Sequence, residues 1–203
     1  MAEPWIKHPT ILKGETVDLI PVEMEHFDAL FEAASDKELW KYIPSDCSVR
    51  ETFNKSYSAA IQDRENGTNY PFIIYNKQTG KIIGSTRLMD IVSNDKKLEI
   101  GFTWLVKEYW GTGINFECKL LLLTFSFNIL KARRVQIKTD ENNFRSRKAI
   151  EKIGGHFEGV LRKDRIRENG TSRNAAYYSI IDDEWPTAEQ KIKMQLNEHR
   201  RTS

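Results

Sequence analysis

The segment of residues 97–130 constrains the fold of this chain more than any other part of its sequence. A strand-like run, KLEIGFTWLV, leads into EYWGTGINFE, in which Gly111 and Gly113 stand two positions apart. A long amphipathic pattern follows the glycines, with large apolar residues at helical spacing at Phe116, Leu120, Leu123, Phe127 and Leu130. The segment therefore predicts a strand, a tight glycine turn and a helix that begins at the turn.

The glycine turn has the features of an anion site. The backbone N–H groups of a helix's first turn lack acceptors within the helix, and the helix dipole favours negative charge there. A dinucleotide fingerprint would need a third glycine where Phe116 stands, and a P-loop would need Lys and then Ser or Thr where Ile114 and Asn115 follow Gly113. The turn therefore predicts a general pyrophosphate site, and a turn required only by chain geometry is the alternative.

Patterns elsewhere predict an α+β domain with no internal repeat. Strands are predicted at LKGETVDLIPV, YPFIIYN, KIIGSTRLMDI, RRVQIKTD, HFEGVLRKDRI and SRNAAYYSII, and the Asn-Gly pair between the last two predicts a hairpin turn. Helices are predicted over 23–35, over 48–66 and at NFRSRKAIEKI, which the following Gly-Gly pair ends. We expect one domain over residues 1–186 and a charged tail over residues 187–203 that forms a helix.

Composition excludes several classes of protein. The chain has 203 residues, 39% of them hydrophobic, and its longest apolar run is about half of the ~20 residues that a membrane span needs. The first ten residues lack the apolar run of a signal peptide. Cys47 and Cys118 form no C-x-x-C pair and the four histidines show no ligand spacing, so we expect neither a disulfide nor a metal site. These features fit a cytoplasmic protein.

The net charge of +2 is unevenly distributed along the chain. Residues 133–173 contain twelve Lys and Arg residues and six acids, a local net charge of +6. Such an excess favours an anionic partner, and solvated helix and hairpin faces are the equally simple explanation.

These elements, in this order, resemble the GNAT superfamily of N-acetyltransferases, and within it the ribosomal-protein N-terminal acetyltransferases of the RimJ/RimL type. The resemblance extends from LKGETVDLIPV to YYSIIDDEWP and is densest over residues 98–186. It implies the GNAT fold, in which a mixed, mostly antiparallel twisted sheet of about seven strands, splayed at its centre, is flanked by about four helices.

The resemblance also implies a site for acetyl-CoA, with no metal. The turn YWGTGIN corresponds to the family's pyrophosphate site, and the strand before it diverges from its neighbour to admit the pantetheine arm. The segment NNFRSRKAIEKIGGHFEG carries an Asn and a Ser beside the thioester. The residues assigned to this site are Phe102, Trp104, Leu105, Val106, Trp110, Gly111, Thr112, Gly113, Ile114, Asn115, Asn143, Ser146 and Arg147. Trp110 and Asn115 depart from the Arg or Gln and the Gly or Ala of many members, so backbone contacts transfer better than side-chain contacts.

Three residues are candidates for catalysis. An amine that attacks a thioester must lose a proton, the carbonyl oxygen must be stabilised, and the leaving thiolate benefits from a proton. Glu99 or Asp164 is the candidate general base, and Ser146 is the candidate proton donor, with Tyr177 and Tyr178 as its rivals. A solvated strand face is the alternative explanation for Glu99, and a helix cap or surface hydroxyl is the alternative for Ser146.

The acceptor that the resemblance implies is the N-terminal α-amine of a protein such as a ribosomal protein. An α-amine, with a pKa of about 7.7–8.0, needs less help from a base than a lysine with a pKa near 10.4. A small amine, an amino acid or an antibiotic is the alternative acceptor. A non-catalytic acyl-CoA-binding module and a basic ribosomal-RNA-associated protein are the alternatives from other classes. We expect no membrane contact and no direct nucleic-acid binding, and a homodimer stays open.

Overall fold

A single eight-stranded sheet forms the centre of the molecule. The computed structural model describes residues 4–167 and 169–202, with side chains as far as residue 199. The strands are β1 (Leu12–Lys13), β2 (Val17–Pro21), β3 (Tyr70–Asn76), β4 (Lys81–Val92), β5 (Lys97–Leu105), β6 (Arg134–Asp140), β7 (His156–Ile166) and β8 (Ser172–Ile181). Their order is β1-β2-β3-β4-β5-β6-β8-β7, and all neighbours are antiparallel except β5 and β6. This arrangement confirms the predicted α+β class and the mixed, mostly antiparallel sheet.

Five α-helices cover the two faces of the sheet. They are α1 (Phe27–Ala34), α2 (Arg50–Glu65), α3 (Ile114–Thr124), α4 (Phe144–Lys152) and α5 (Trp185–Thr202), and α3 continues into a π-helical turn at Phe125–Ile129. The structure therefore has one strand and one helix more than the approximate counts expected. The additional strand arises because the first predicted strand is divided at Gly14, whose N–H donates to the carbonyl of Val17 in a tight turn (3.0 Å). The helix beyond the four expected for the family fold is α5, which covers most of the tail for which a helix was predicted.

Each face of the sheet has its own hydrophobic core. On one side, which we call the α2 face, α1 and α2 bury Phe53, Tyr57 and Trp104 with their neighbours. On the opposite side, the α3 face, α3, α4 and α5 pack on residues such as Leu98 and Ile100. Alternate side chains of a strand point to opposite faces, so neighbouring positions of β5 contribute to different cores.

The helix α3 is fixed to the edge of the sheet by a buried carboxylate. Glu117 Oε1 accepts the backbone N–H groups of Glu15 (2.5 Å) and Thr16 (2.8 Å), which lie between β1 and β2. Hydrogen bonds to a charged group are the stronger kind, about 1.5–3 kcal/mol each. The position of the helix N-terminus, where the glycine turn lies, is thus set by contacts with a distant part of the chain.

The C-terminal helix α5 packs against α3 and contributes side chains to the core. Ala188, Ile192 and Leu196 of α5 belong to the α3-face core. The division into a domain over 1–186 and a tail over 187–203 stays a prediction, although α5 begins at Trp185, inside the predicted domain. None of the described helices has both the length and the apolar character that a membrane span requires.

Candidate active site

The sheet is split between β5 and β6. The two strands pair only where Lys97, Leu98 and Glu99 lie beside Arg134, Val135 and Gln136. Beyond Glu99, β5 follows β4 and leaves β6, so among the described residues the edge of β5 over residues 100–105 has no ladder partner on that side. Backbone N–H and C=O groups need hydrogen-bond partners when they are buried. The split is therefore suited to a ligand that can pair with a strand edge.

A bulge marks the point where β5 leaves β6. The pairing of β5 with β4 is interrupted between Ser85 and Arg87, and Phe102 in the bulge has a φ of +48°. A bulky residue in this left-handed region costs about 1–3 kcal/mol, which the surrounding packing must offset. Bulges redirect side chains and end strand pairing, and they are frequent beside active sites.

The glycine turn presents a row of backbone N–H groups. Gly111 and Gly113 have φ values of +78° and +86°, and Gly113 is the N-cap residue of α3. In the described chain, no backbone or side-chain acceptor takes the N–H groups of residues 111–115. Successive unpaired N–H groups at a helix N-terminus form an anion-binding concavity. The structure thus brings the predicted residues Gly111, Thr112, Gly113, Ile114 and Asn115 into a site that fits a pyrophosphate.

The start of α4 lies next to this turn. The guanidinium of Arg145 stacks over the Trp110 ring, 3.6 Å from its centroid, and the Trp110 indole N–H donates to the carbonyl of Leu105 (2.7 Å). Asn143 caps α4, because its Oδ1 accepts the N–H of Ser146 (3.1 Å). The side chain of Asn143 thus has a structural role here, while Ser146, in the first turn of α4, is partly exposed.

Some predicted site residues point their side chains away from the split. Phe102 and Trp104 pack in the α2-face core, and the Trp104 indole N–H donates to the Tyr57 hydroxyl (3.0 Å). Only their backbone groups can therefore line the split. Val106 donates its N–H to the carbonyl of Ile83 (2.9 Å) and continues the pairing with β4.

The side chain of Arg147 is also engaged within the protein. Its Nε donates to the Tyr178 hydroxyl (3.0 Å) and its Nη1 to the carbonyl of Glu141 (3.2 Å). Tyr178 is fully buried and donates in turn to Glu151 (2.9 Å). A ligand contact from Arg147 would have to replace or share these bonds.

Glu99 is buried, which excludes a solvated strand face as the explanation for it. Glu99 is only 2% exposed. Its Oε2 accepts a hydrogen bond from Gln136 Nε2 (2.7 Å) and lies 3.2 Å from Lys138 Nζ. Burial raises the pKa of Glu99 above its usual value, and the contacts with Lys138 and Gln136 partly offset this. Its Oε1 fills the space over Gly101, 2.9 Å from where a Cβ would lie. This oxygen faces the residue before the bulge.

The second candidate base, Asp164 of β7, lies on the same face, and β6 and β8 separate its strand from that of Glu99. Asp164 Oδ1 accepts from the Tyr177 hydroxyl (2.8 Å), and its buried Oδ2 has no hydrogen-bond partner in the described chain. The Tyr177 ring lies 5.6 Å from Lys138 Nζ, which connects it to Glu99. Burial, followed by the bond to Asp164, raises the pKa of Tyr177. The phenol therefore stays protonated at neutral pH.

Two buried cations beside the bulge have no counterpart among the sequence candidates. Arg87 of β4 is 5% exposed on the α2 face and stacks on the Phe102 ring, 3.9 Å from its centroid. Lys119 of α3 is 5% exposed on the α3 face, and its Nζ donates to Thr103 Oγ1 (2.9 Å). The signal in the sequence for Lys119 is a charged residue within the apolar pattern of the predicted helix. The twelve-residue β4 pattern gave no comparable signal for Arg87.

Several basic side chains over residues 133–173 form ion pairs within the protein, and the Cys118 thiol is buried. Arg134 pairs with Glu158, and Arg167 and Arg173 both contact the buried Asp140, so part of the basic excess over residues 133–173 is internal. Cys118 is fully buried, and burial raises the pKa of its thiol to about 12. Among the described residues, no group of three metal-ligating side chains is close enough to hold an ion.

The buried position of Lys119 predicts a pH-dependent stability. Burial lowers its pKa from 10.5 to about 8, so the unfolded chain binds more protons between these values and the free energy of unfolding rises with pH across that window. The Lys119→Met variant lacks this dependence. Its free energy of unfolding relative to the wild type, from urea titrations, should therefore fall by about 2–4 kcal/mol between pH 7 and pH 10.5. Lys81→Met, which removes an exposed lysine, is the control, and an equal fall in both variants would contradict the prediction.

Several known proteins are similar to this chain in sequence or in fold. A family model described as "Acetyltransferase (GNAT) domain" matches residues 17–156. Over 106 residues the chain is 35% identical to "Putative ribosomal N-acetyltransferase YdaF" of Bacillus subtilis (strain 168), and this alignment covers 52% of the chain and 57% of YdaF. The chain thus spans little more than half of that relative's length.

Solved structures share the whole architecture. A GCN5-related N-acetyltransferase from Brucella melitensis superposes with a TM-score of 0.84 at 26% identity, covering 94% of this chain and 86% of that one. Mycobacterium smegmatis RimJ in complex with CoA-disulfide superposes with a TM-score of 0.75 at 22% identity, covering 88% of each chain. At that identity the likeness to RimJ concerns the fold alone.

Proposed function

The chain belongs to the GNAT family of acetyltransferases, and on that premise we propose that it transfers the acetyl group of acetyl-CoA to the N-terminal α-amine of a protein, such as a ribosomal protein. The observation that carries the proposal is the combination of the split between β5 and β6 with the unpaired N–H groups of residues 111–115. The split would provide a strand edge for an extended ligand. The N–H groups of residues 111–115 would provide an anion site at the end of that ligand. Together they match the pantetheine arm and the pyrophosphate of CoA.

The choice of acceptor rests on relatives and on chemistry. YdaF carries the name of a putative ribosomal N-acetyltransferase. An α-amine is about one-tenth neutral at pH 7, whereas a lysine side chain is almost wholly charged. A single buried carboxylate such as Glu99 is therefore an adequate base for an α-amine. We place the reaction in the cytoplasm, where the thiols of the buried Cys47 and Cys118 would remain reduced.

The proposed reaction is a direct transfer. The neutral amine attacks the thioester carbon, a C–N bond forms, and the C–S bond breaks as the thiolate leaves. Glu99 takes the proton of the amine through its Oε1, which faces the bulge, and Asp164 is the alternative base. Backbone N–H groups at residues 102–105 stabilise the developing oxyanion, and the Ser146 hydroxyl donates a proton to the thiolate.

A screen for thiol release tests the function itself. The protein is incubated with acetyl-CoA and, separately, with N-terminal peptides of ribosomal proteins, polyamines, amino acids and aminoglycosides, and free CoA is measured. We expect turnover with peptides that have a free α-amine and none with the same peptides blocked at the N-terminus. Preference for a polyamine, an amino acid or an aminoglycoside would contradict the acceptor, and acetyl-CoA binding without thiol release from any amine would contradict catalysis.

The raised pKa of Glu99 predicts the acidic limb of the pH–rate profile. A base must be ionised, so kcat/KM, calculated on the concentration of neutral amine, should fall as the pH decreases through the pKa of Glu99, above the value of about 4.3 for an ordinary glutamate. Glu99→Gln should remove this limb and lower kcat/KM by about 10²–10⁴. Asp164→Asn is the matched variant for the second candidate. If both variants keep the limb, neither carboxylate is the base.

Ser146 and Tyr177 can be separated as proton donors by single-turnover kinetics. With acetyl-CoA and amine saturating, Ser146→Ala should slow transfer by about 10²–10⁴, the usual contribution of a positioned acid. Acetyl-CoA affinity should change little, because its proposed contacts are mainly with the backbone. The fully buried Tyr178, which bonds to Arg147 and Glu151, is a weaker rival than Tyr177. Wild-type transfer by Ser146→Ala together with slow transfer by Tyr177→Phe would reverse the assignment.

A further inference from the structure

A polar groove lies between α2 and β4, on the face of the sheet that carries Glu99. Its volume is about 610 Å³, and Arg87 of β4 forms part of its lining together with one side of α2. Ser56 lies near the middle of this side of α2, and its hydroxyl accepts from Arg87 Nη2 (3.1 Å). No residue of this groove belongs to the proposed acetyl-CoA site or to the candidate catalytic residues.

Arg87 is a buried cation that forms no salt bridge among the described residues, and the carboxylate of Asp63 in the same groove acts on its charge only from a distance. Its guanidinium stacks on the rings of Phe102 (3.9 Å to the centroid) and Tyr57 (4.7 Å), and its buried Nε donates to no acceptor in the described chain. Across residues 4–167 and 169–199, no carboxylate forms an ion pair with it. A buried charge is costly unless it is paired and hydrogen-bonded. A partly satisfied guanidinium that lines a groove is therefore equipped to receive an anion.

The register of β4 and β5 places this guanidinium close to the candidate base. Arg87 is paired with Gly101, and Met89 is paired with Glu99, so Arg87 and Glu99 are diagonal neighbours on the same face. Diagonal pairs of this kind have Cα atoms about 7–8 Å apart. The carboxylate of Glu99 leans over Gly101, the residue paired with Arg87. The strained Phe102, between the groove and the split, contacts Arg87 through its ring.

Other charged groups of the groove are more exposed. Lys55 is exposed beside Ser56 and adds positive charge near Arg87. Glu51 and Asp63 line the groove five residues before and seven residues after Ser56, about 7 Å and 10 Å along the helix at a rise of 1.5 Å per residue. The middle of the groove is thus positive and its ends are negative, which favours a small anionic group held at Arg87 over an extended acidic surface.

We propose that this groove binds a carboxylate of the acetyl acceptor, so that the enzyme selects acceptors whose amine and carboxylate can reach Glu99 and Arg87 together. The carboxylate would accept hydrogen bonds from the Arg87 guanidinium. A guanidinium is planar and can donate two parallel N–H bonds to the two oxygens of a carboxylate. Its source is either an acidic side chain near a peptide N-terminus or the carboxylate of a free acidic amino acid. The inference rests on the proposed acetyl transfer and specifies the acceptor for it.

Matched acceptors test the inference on the wild-type protein. Peptides that begin with Asp or Glu, or that carry either residue at the second position, are compared with the same peptides containing Asn or Gln. Free aspartate and glutamate form a second arm, compared with asparagine and glutamine. Within each pair, we expect kcat/KM to be at least about tenfold higher for the acidic acceptor than for its amide. This factor corresponds to the gain of one charge-assisted hydrogen bond. The arm with the larger preference identifies the source, and equal rates within every pair would overturn the inference.

Variants of Arg87 separate specificity from packing. In Arg87→Gln the ratio of kcat/KM between acid and amide acceptors should fall towards one, whereas Arg87→Lys, which keeps the charge, should retain part of the preference. A purely structural role would lower both rates and leave their ratio unchanged, which would also overturn the inference. Arg162→Gln removes an exposed arginine of β7 and is the control, with the ratio of the wild type. If Arg87→Gln does not fold, the wild-type comparison alone decides.

A binding measurement distinguishes this inference from the proposed function. The affinity of each acid and amide acceptor is measured by calorimetry in the presence of CoA, which lacks the acetyl group and permits no turnover. Tighter binding of the acids by at least about tenfold, without thiol release from acetyl-CoA, would support the groove and contradict acetyl transfer. Thiol release with no preference for the acids, in rate or in affinity, would support acetyl transfer and overturn the carboxylate site.

Discussion

The short pairing between β5 and β6 is the constraint on which the rest of the site depends. Three residues of each strand hold the two halves of the sheet together, and beyond Glu99 the halves separate. The bulge at Phe102 keeps β5 joined to β4 while its other edge opens. A sheet interrupted in this way exposes backbone groups that a continuous sheet would pair. The strain at Phe102 is offset by the aromatic packing of its ring with Trp40, Tyr57 and Arg87.

The bulge lies between two buried cations, one on each face. Arg87 contacts the ring of Phe102 from the α2 face, and Lys119 contacts the hydroxyl of Thr103 from the α3 face. Thr103 and Thr86 hydroxyls lie 2.8 Å apart, so the ammonium is held through side chains of both strands. Burial lowers the pKa of both cations. Their common effect is a positive potential at the bulge, which under the proposed function would favour a transition state with a developing oxyanion.

The parts of the fold that local patterns determine could be predicted from the sequence. The strand, glycine turn and helix over 97–130 follow from periodicity and from the demand of the turn for glycine, and the hairpins follow from their turn residues. The division of the first strand at Gly14 could not be predicted, because it depends on a carboxylate about one hundred residues away in α3. The burial of Glu99 could not be predicted either. A single acid in a strand is expected to be exposed to solvent, and its burial depends on which strands lie beside it.

The same distinction applies to the candidate site. Residues 111–115 form their turn within one short segment, so the sequence sufficed to predict the turn, and its role as a pyrophosphate site stays a prediction. Arg87 acquires its position beside Glu99 only through the register of β4 and β5, and Lys119 reaches Thr103 only because α3 docks across the sheet. Arg147, which the resemblance assigned to the acetyl-CoA site, donates a hydrogen bond to Tyr178 within the protein. Non-local pairing therefore limited the sequence analysis more than local structure did.

The two faces of the split differ in a way that separates the two substrates of the proposed reaction. On the α3 face, residues of α3, α4 and α5 share one core, and the stack of Arg145 on Trp110 joins the start of α4 to the glycine turn. On the α2 face, Glu99, Lys138, Tyr177 and Asp164 form a polar floor over β5, β6, β8 and β7, with the Arg87 groove beside it. The two candidate bases and the Arg87 groove thus share one face, and the glycine turn begins the helix that packs on the other. Under the proposed function, an amine that arrives over the polar floor would meet the base before it meets the thioester, which is the order that attack by a neutral amine requires.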